Sequence, residues 1–131
     1  IDCGTAITLD ALEADGRHLG GVILPGLQVA ANALLTRAQG QLSLSFDNPN
    51  VLADSTARAI GSGCFFGLAG AIEGICTRMQ HSLSTVPLRI LSGGDAVRLS
   101  TELQGQYCVQ PDLLMHGLRM IAEQTPCCTI G

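Results

Sequence analysis

The first six residues of the chain, Ile1-Asp2-Cys3-Gly4-Thr5-Ala6, place a carboxylate, a glycine and a hydroxyl within four positions. Asp2 can hold a cation, Gly4 lets backbone N–H groups approach a phosphate, and Thr5 offers a hydroxyl to the same group. That set points to nucleotide chemistry. Its structural alternative is a turn in which the Asp2 carboxylate accepts backbone N–H bonds. A phosphate turn closes a buried strand of several apolar residues, yet only Ile1 precedes Asp2. The expectation is a first strand cut short, in the later part of a longer protein.

Two further glycine turns accompany it: Gly20-Gly21-Val22-Ile23-Leu24-Pro25-Gly26 and Ser92-Gly93-Gly94-Asp95-Ala96. Each follows or ends an apolar run, so all three are expected at one rim of a sheet, where open α/β folds bind ligands. One glycine turn alone is more often structural than functional. His18, His81 and His116 pair with no Cys or Ser as a nucleophile's base and read as surface or structural residues. Asp10, Asp95 and Asp112 read as turn or cap residues rather than catalytic acids.

Strands and helices must carry these turns. Ile7, Leu9 and Ala11 alternate with Thr8 and Asp10, Leu19 to Leu24 is apolar, and Ala14-Asp15-Gly16-Arg17 between them has hairpin-turn chemistry. After Pro25-Gly26, Leu27, Ala30, Ala31, Leu34, Leu35 and Ala38 follow at helical spacing. Residues 40–50 read as loop with at most a short strand over 42–46. A long helix capped by Asp54 or Ser55 comes next, with Ala59, Ile60, Gly63, Cys64, Gly67, Leu68, Ala71, Ile72, Ile75 and Met79 on one face. Its glycines, Gly63, Gly67, Gly70 and Gly74, cost helix propensity and imply a close approach, by tight helix packing or an oligomer contact. The rest alternates: strand over 88–91, turn at Gly93-Gly94, helix over 95–103, strand over 107–109 and an amphipathic helix over 112–123. A hairpin followed by this order predicts a mixed β-sheet with flanking helices.

Composition narrows the function. The 131 residues, 47% hydrophobic, suffice for one domain with a full core. A net charge of -4 with 3% aromatic residues argues against nucleic acid and anionic membranes, which need clustered basic residues, and leaves small molecules or protein as partners. Cys64, Cys76, Cys108 and Cys3 lie in apolar surroundings, so with Cys127 and Cys128 they read as reduced thiols. No C-x-x-C pair supports zinc. The uncharged stretch 59–72 is short for a membrane span and reads as a core helix.

Taken together and in order, the three turns resemble the second half of a type III pantothenate kinase. The likeness extends through Thr56 with Gly61 and Gly63, and through Pro111-Asp112-Leu113-Leu114 with Gly117-Leu118. The resemblance implies an α/β fold, a ribonuclease-H-like actin-type ATPase half-domain, with residues 1–131 the C-terminal actin-like domain of a two-half kinase. It implies ATP-dependent phosphorylation of pantothenate, the first step of coenzyme A synthesis, in the cytoplasm. Asp2 would hold a monovalent cation, potassium or ammonium, while Gly4 and Thr5 meet ATP carrying a divalent ion such as magnesium. Gly93 and Gly94 would lie under the adenosine, with Ser92 where the family usually has Thr. Thr56 would contact pantothenate; its bland alternative is a first-turn hydroxyl satisfied locally. The family is dimeric, which implies a homodimer. The family's first phosphate motif, D-x-G-N-T, and its G-x-D-R motif with the catalytic Asp do not occur here. No Asp in this chain is therefore named as the base, and this stretch alone is expected to lack activity. Two other functions remain open: a non-catalytic nucleotide-binding accessory or regulatory protein, as some family members were described, and another small-molecule kinase of the actin-like superfamily.

Overall fold

In a computed structural model, residues 1–37 and 43–124 are described. Strand β1 (Asp2–Cys3) turns directly into β2 (Ala6–Leu12), which runs antiparallel to it with Cys3 opposite Ile7. The Asp15-Gly16 turn then returns the chain as β3 (His18–Pro25), with Ile7 opposite Leu24 and Leu9 opposite Val22. Gly16 sits at φ +88°, the left-handed conformation this turn demands, and Gly16 N–H donates to the Glu13 carbonyl at 2.9 Å.

Helix α1 (Leu27–Arg37) begins where β3 ends, and helix α2 (Thr56–Ser82) packs against it. Strand β4 (Ile90–Leu91), the short helix α3 (Ala96–Ser100), strand β5 (Cys108–Val109) and helix α4 (Leu113–Gln124) complete the chain. Strands β4 and β5 are parallel. A parallel bridge between Asp2 and Ser92 joins β1 to the end of β4: Cys3 N–H donates to the Ser92 carbonyl at 2.7 Å and Ser92 N–H to that of Ile1 at 2.8 Å. Hydrogen bonding thus runs in the order β3-β2-β1-β4-β5, with mixed directions as expected.

One core forms under this surface. Ile7 and Leu9 from β2, Leu27 and Ala31 from α1, Phe65, Leu68 and Ile72 from α2, and Leu91, Ala96 and Leu99 are all buried together. Because Ile7 and Leu9 alternate with outward Thr8 and Asp10, the strand offers one apolar face. Helix α4 differs: none of its residues is buried, and Leu114, Met115, Leu118 and Met120 are exposed.

Residues 43–46 are loop, as expected, without the short strand the sequence allowed there; Leu42 lies outside the described residues, as does Ala38. Phe46 is instead buried in the core, and the Ser45 carbonyl abuts α2 at Gly61, so a side-chain anchor outcompetes strand pairing. Two expectations need correction. The helix expected over 95–103 is α3, ending at Ser100. The buried stripe of α2 comprises Cys64, Phe65, Leu68, Ala69, Ile72 and Cys76, turned by about one residue from the expected face. Gly63, Gly67 and Gly70 then lie on the opposite, open side, where a Cβ would meet nothing within 4 Å. The close approach falls on Gly61, whose Cβ would collide with the Ser45 carbonyl oxygen. The N-cap is Ser55, whose Oγ accepts from Arg58 N–H at 3.5 Å. By length and composition α2 could cross a membrane, but its Phe65–Ile72 stripe is buried in this core.

The four described cysteines, Cys3, Cys64, Cys76 and Cys108, are free thiols; Cys127 and Cys128 lie outside the described residues. Burial pushes Cys3 from 9.0 up to about 11; the Ile1 ammonium opposes the rise, and the Asp2 and Asp95 carboxylates add to it. Burial also raises the Cys64 thiol.

Gly61→Ala should destabilise the chain by about 1–3 kcal/mol through overpacking, whereas Gly70→Ala should stabilise it by about 0.5–1 kcal/mol; urea unfolding measures both. At pH 8 a thiol alkylator followed by peptide mapping should label half-buried Cys108 before Cys3. As the folded Cys3 holds its proton above the unfolded value of 9.0, its contribution to stability should be intact below about pH 9 and decline towards pH 11.

Candidate functional site

Only Gly4 and Thr5 lie between β1 and β2. Gly4 N–H donates to the Ala6 carbonyl at 3.0 Å, leaving Thr5 exposed at the tip. Gly4 thus spends its own N–H on the turn, and its contribution to a ligand is the missing side chain. Thr5 keeps its hydroxyl and N–H outward, with no hydrogen bond from either among the described residues.

Two other segments close on this tip. From one side, Gly26 N–H donates to the Thr5 carbonyl at 2.9 Å, and a Cβ on Gly26 would collide with the Gly4 carbonyl oxygen. From the other, Gly93 at φ +92° presses against β1, so that a Cβ there would collide with Asp2 Oδ1 and stand 2.6 Å from the Cys3 carbonyl oxygen. Asp95 N–H donates to that same carbonyl at 2.9 Å. The expected gathering of three turns at one rim therefore occurs for the Asp2–Ala6 turn, the Pro25-Gly26 end of the second run and the Gly93 turn. Gly20 and Gly21 do not join them: they pair with Ala11 and Asp10 towards the hairpin end of β3.

This rim is the carboxyl end of β1, β3, β4 and β5, where helices α1, α3 and α4 begin. Its donors suit a nucleotide with a cation. The Asp2 carboxylate is exposed beside Gly93, the Thr5 hydroxyl stands at the tip, and Gly94 is exposed with open space where a Cβ would be. A flat ligand can lie on the backbone there. Beneath, Cys3 is fully buried and its neutral thiol adds no charge under the Asp2 carboxylate. Among the described residues no group of three or more His, Cys, Asp or Glu could hold a metal ion, so a cation here would rest on Asp2 with uncharged oxygens.

Thr56 stands apart from the rim. It is the exposed first residue of α2, and no hydrogen bond joins it to either turn. Thr56 shares a helix face with Ala59, Gly63 and Phe66, which with residues 50–53 line a groove of about 460 Å³. Its hydroxyl makes no local bond among the described residues, contrary to the bland alternative.

Asp10, expected in a turn, instead accepts from His18 at 2.9 Å across the hairpin. Asp95 precedes α3 but makes no side-chain cap; its carboxylate accepts from Arg98 at 2.8 Å. Arg98 and Phe46 escape a reading of glycine turns. Their one sequence signal is the Asp95-to-Arg98 spacing, which aligns two charges on a helix.

Comparison with known proteins places this geometry in a family. A family profile described as type III pantothenate kinase matches residues 1–78. A type III pantothenate kinase from Syntrophotalea carbinolica is 36% identical over 122 residues, covering 92% of this chain and 48% of that protein. One from Dichelobacter nodosus is 38% identical over 126 residues, covering 96% and 50%. The chain spans about half the length of the curated relatives it matches. A solved structure described as a Baf family transcriptional activator from Campylobacter jejuni shares the fold, with a TM-score of 0.62, 24% identity and coverage of 94% of this chain and 55% of that one. The chain belongs to the type III pantothenate kinase family.

Proposed function

We propose that the full-length protein phosphorylates pantothenate with ATP, the opening step of coenzyme A synthesis, in the cytoplasm. The observation carrying this reading is the convergence of Gly26 and Gly93 on the Asp2–Ala6 turn in a chain of this family. Residues 1–131 act as the C-terminal half-domain of a two-half kinase with a ribonuclease-H-like, actin-type fold. The β3-β2-β1-β4-β5 order, with β2 alone opposed to its neighbours β1 and β3, supports that assignment.

Asp2 holds a monovalent cation, potassium or ammonium, and Thr5 bonds the phosphates where Gly4 leaves room. Gly93 and Gly94 form the bed for the adenosine, and Thr56 bonds pantothenate from the head of α2. ATP with its divalent ion supplies the phosphoryl group and screens its charge; the chain's residues orient it and stabilise negative charge as it shifts.

Helix α2 also supports a homodimer. Gly63, Gly67, Gly70 and Gly74 recur along its outer side, and three of the four have open space above them. A partner helix can approach closely on such a face.

Asp2→Ala in the full-length protein should lower kcat/KM about a hundredfold and abolish potassium activation. Steady-state assays with and without pantothenate, at varied potassium, measure this. ATP consumption independent of pantothenate would favour another acceptor, and none under either condition the accessory role. Gly67→Leu should shift sedimentation from dimer towards monomer while leaving the far-ultraviolet dichroism unchanged.

A further inference from the structure

Residues 45–53 run between the two ends of the site described above. They sit on α2 at two points: the Ser45 carbonyl abuts Gly61, and Asn50 N–H donates to the nearly buried Ser62 Oγ at 3.0 Å. Asn50, Val51, Leu52 and Ala53 then form one wall of the groove next to Thr56. The segment is stiffened from within, since Asp47 N–H donates to Ser45 Oγ at 3.1 Å and Leu52 N–H to Asn50 Oδ1 at 2.9 Å.

Between those points the segment meets α3 through one side chain. Arg98 donates to Asp95 at 2.8 Å and to Asp47 at 3.5 Å, and its guanidinium lies 5.9 Å from the centre of the Phe46 ring. Asp95 belongs to the Gly93 turn, whose N–H bond to the Cys3 carbonyl ties it to the Asp2–Ala6 tip. Arg98 is therefore the polar link, among the described residues, between the nucleotide turn and the wall of the groove.

We infer that Arg98 is a positioning residue: through Asp47 and Phe46 it holds residues 45–53 in register with the Gly93 turn, so that the acceptor groove and the nucleotide turn keep a fixed separation. The inference rests on the reading of the groove as the acceptor site. On that reading Arg98 acts through the segment, by its contacts with Asp47 and Phe46. Arg suits the task because its planar fork binds two carboxylates while its face stacks on an aromatic ring.

In the full-length protein, Arg98→Gln should raise the KM for pantothenate about three- to fivefold, the scale of a partly exposed ion pair, with the KM for ATP changed less than about twofold. Arg98→Lys should recover part of the loss. Asp47→Asn, at an exposed site that leaves the fold intact, should act in the same direction, and combining it with Arg98→Gln should add little. Amide hydrogen exchange supplies a readout free of activity: peptides covering 45–53 should exchange faster in both variants, with the α2 core peptides unchanged. Equal changes in both KM values, additive effects of the two substitutions, or unaltered exchange over 45–53 would overturn the inference. Should the unmodified protein fail to phosphorylate pantothenate, the functional reading falls, and the exchange result still decides the clamp.

Discussion

The hydrogen bonds of Cys3 hold the molecule together at its functional end. Its N–H donates to Ser92 and its carbonyl accepts from Asp95, so one residue joins the antiparallel ladder to the parallel one and fixes the Gly93 turn beside it. The side chain is fully buried, which leaves the backbone of this residue no water to exchange with. An unpaired buried peptide group would cost about 1–3 kcal/mol, so the bridge resists opening. With the bridge closed, the space between β1 and the Gly93 turn admits no side chain, and glycine at 93 becomes a steric necessity.

That constraint explains why the rim is built from backbone. Gly26 and Gly93 bring peptide groups to within contact of the Asp2–Ala6 turn from two directions, and Gly94 leaves the outer surface bare. A surface of peptide dipoles costs nothing to reorganise when a charged ligand arrives, whereas long side chains would lose rotamer freedom. The groove beside Thr56 is the opposite case. Its walls are Ala59, Phe66, Val51 and Leu52, with a hydroxyl at Ser62, and its shape depends on where residues 50–53 are held.

Much of this was legible in residue types. The hairpin follows from Asp15-Gly16 between alternating apolar runs, and the start of α2 from Ser55, because turn and cap chemistry is local. The burial face of α2 was misread because glycine carries no side chain to report its side: Gly63 and Gly67 fit an apolar stripe on paper and face outward in space. Residues 43–46 stay loop for a tertiary reason, the burial of Phe46 against the core and the seat of Ser45 on Gly61. Of the site residues, Asp2, Gly4, Thr5 and Gly93 were readable as a motif and came together. Arg98 was not, since its partners Asp47 and Asp95 are 51 and 3 positions away and meet only after folding.

The ion pairs also limit what this rim can do by itself. Phosphoryl transfer to a hydroxyl calls for a carboxylate free to accept its proton near the nucleotide. Asp95 is held by Arg98, Asp47 by the same guanidinium, Asp54 by Arg58 at 3.0 Å, and Asp10 by His18 at the other end of the hairpin. Asp2 at the tip and Asp112 ahead of α4 are exposed with no ion pair among the described residues, and the place of Asp2 against Gly93 suits it to a cation. On the proposed reading these carboxylates, Asp112 aside, are held in pairs or given to the cation, and the group that takes the acceptor's proton has to approach from a surface that faces the Thr5 tip.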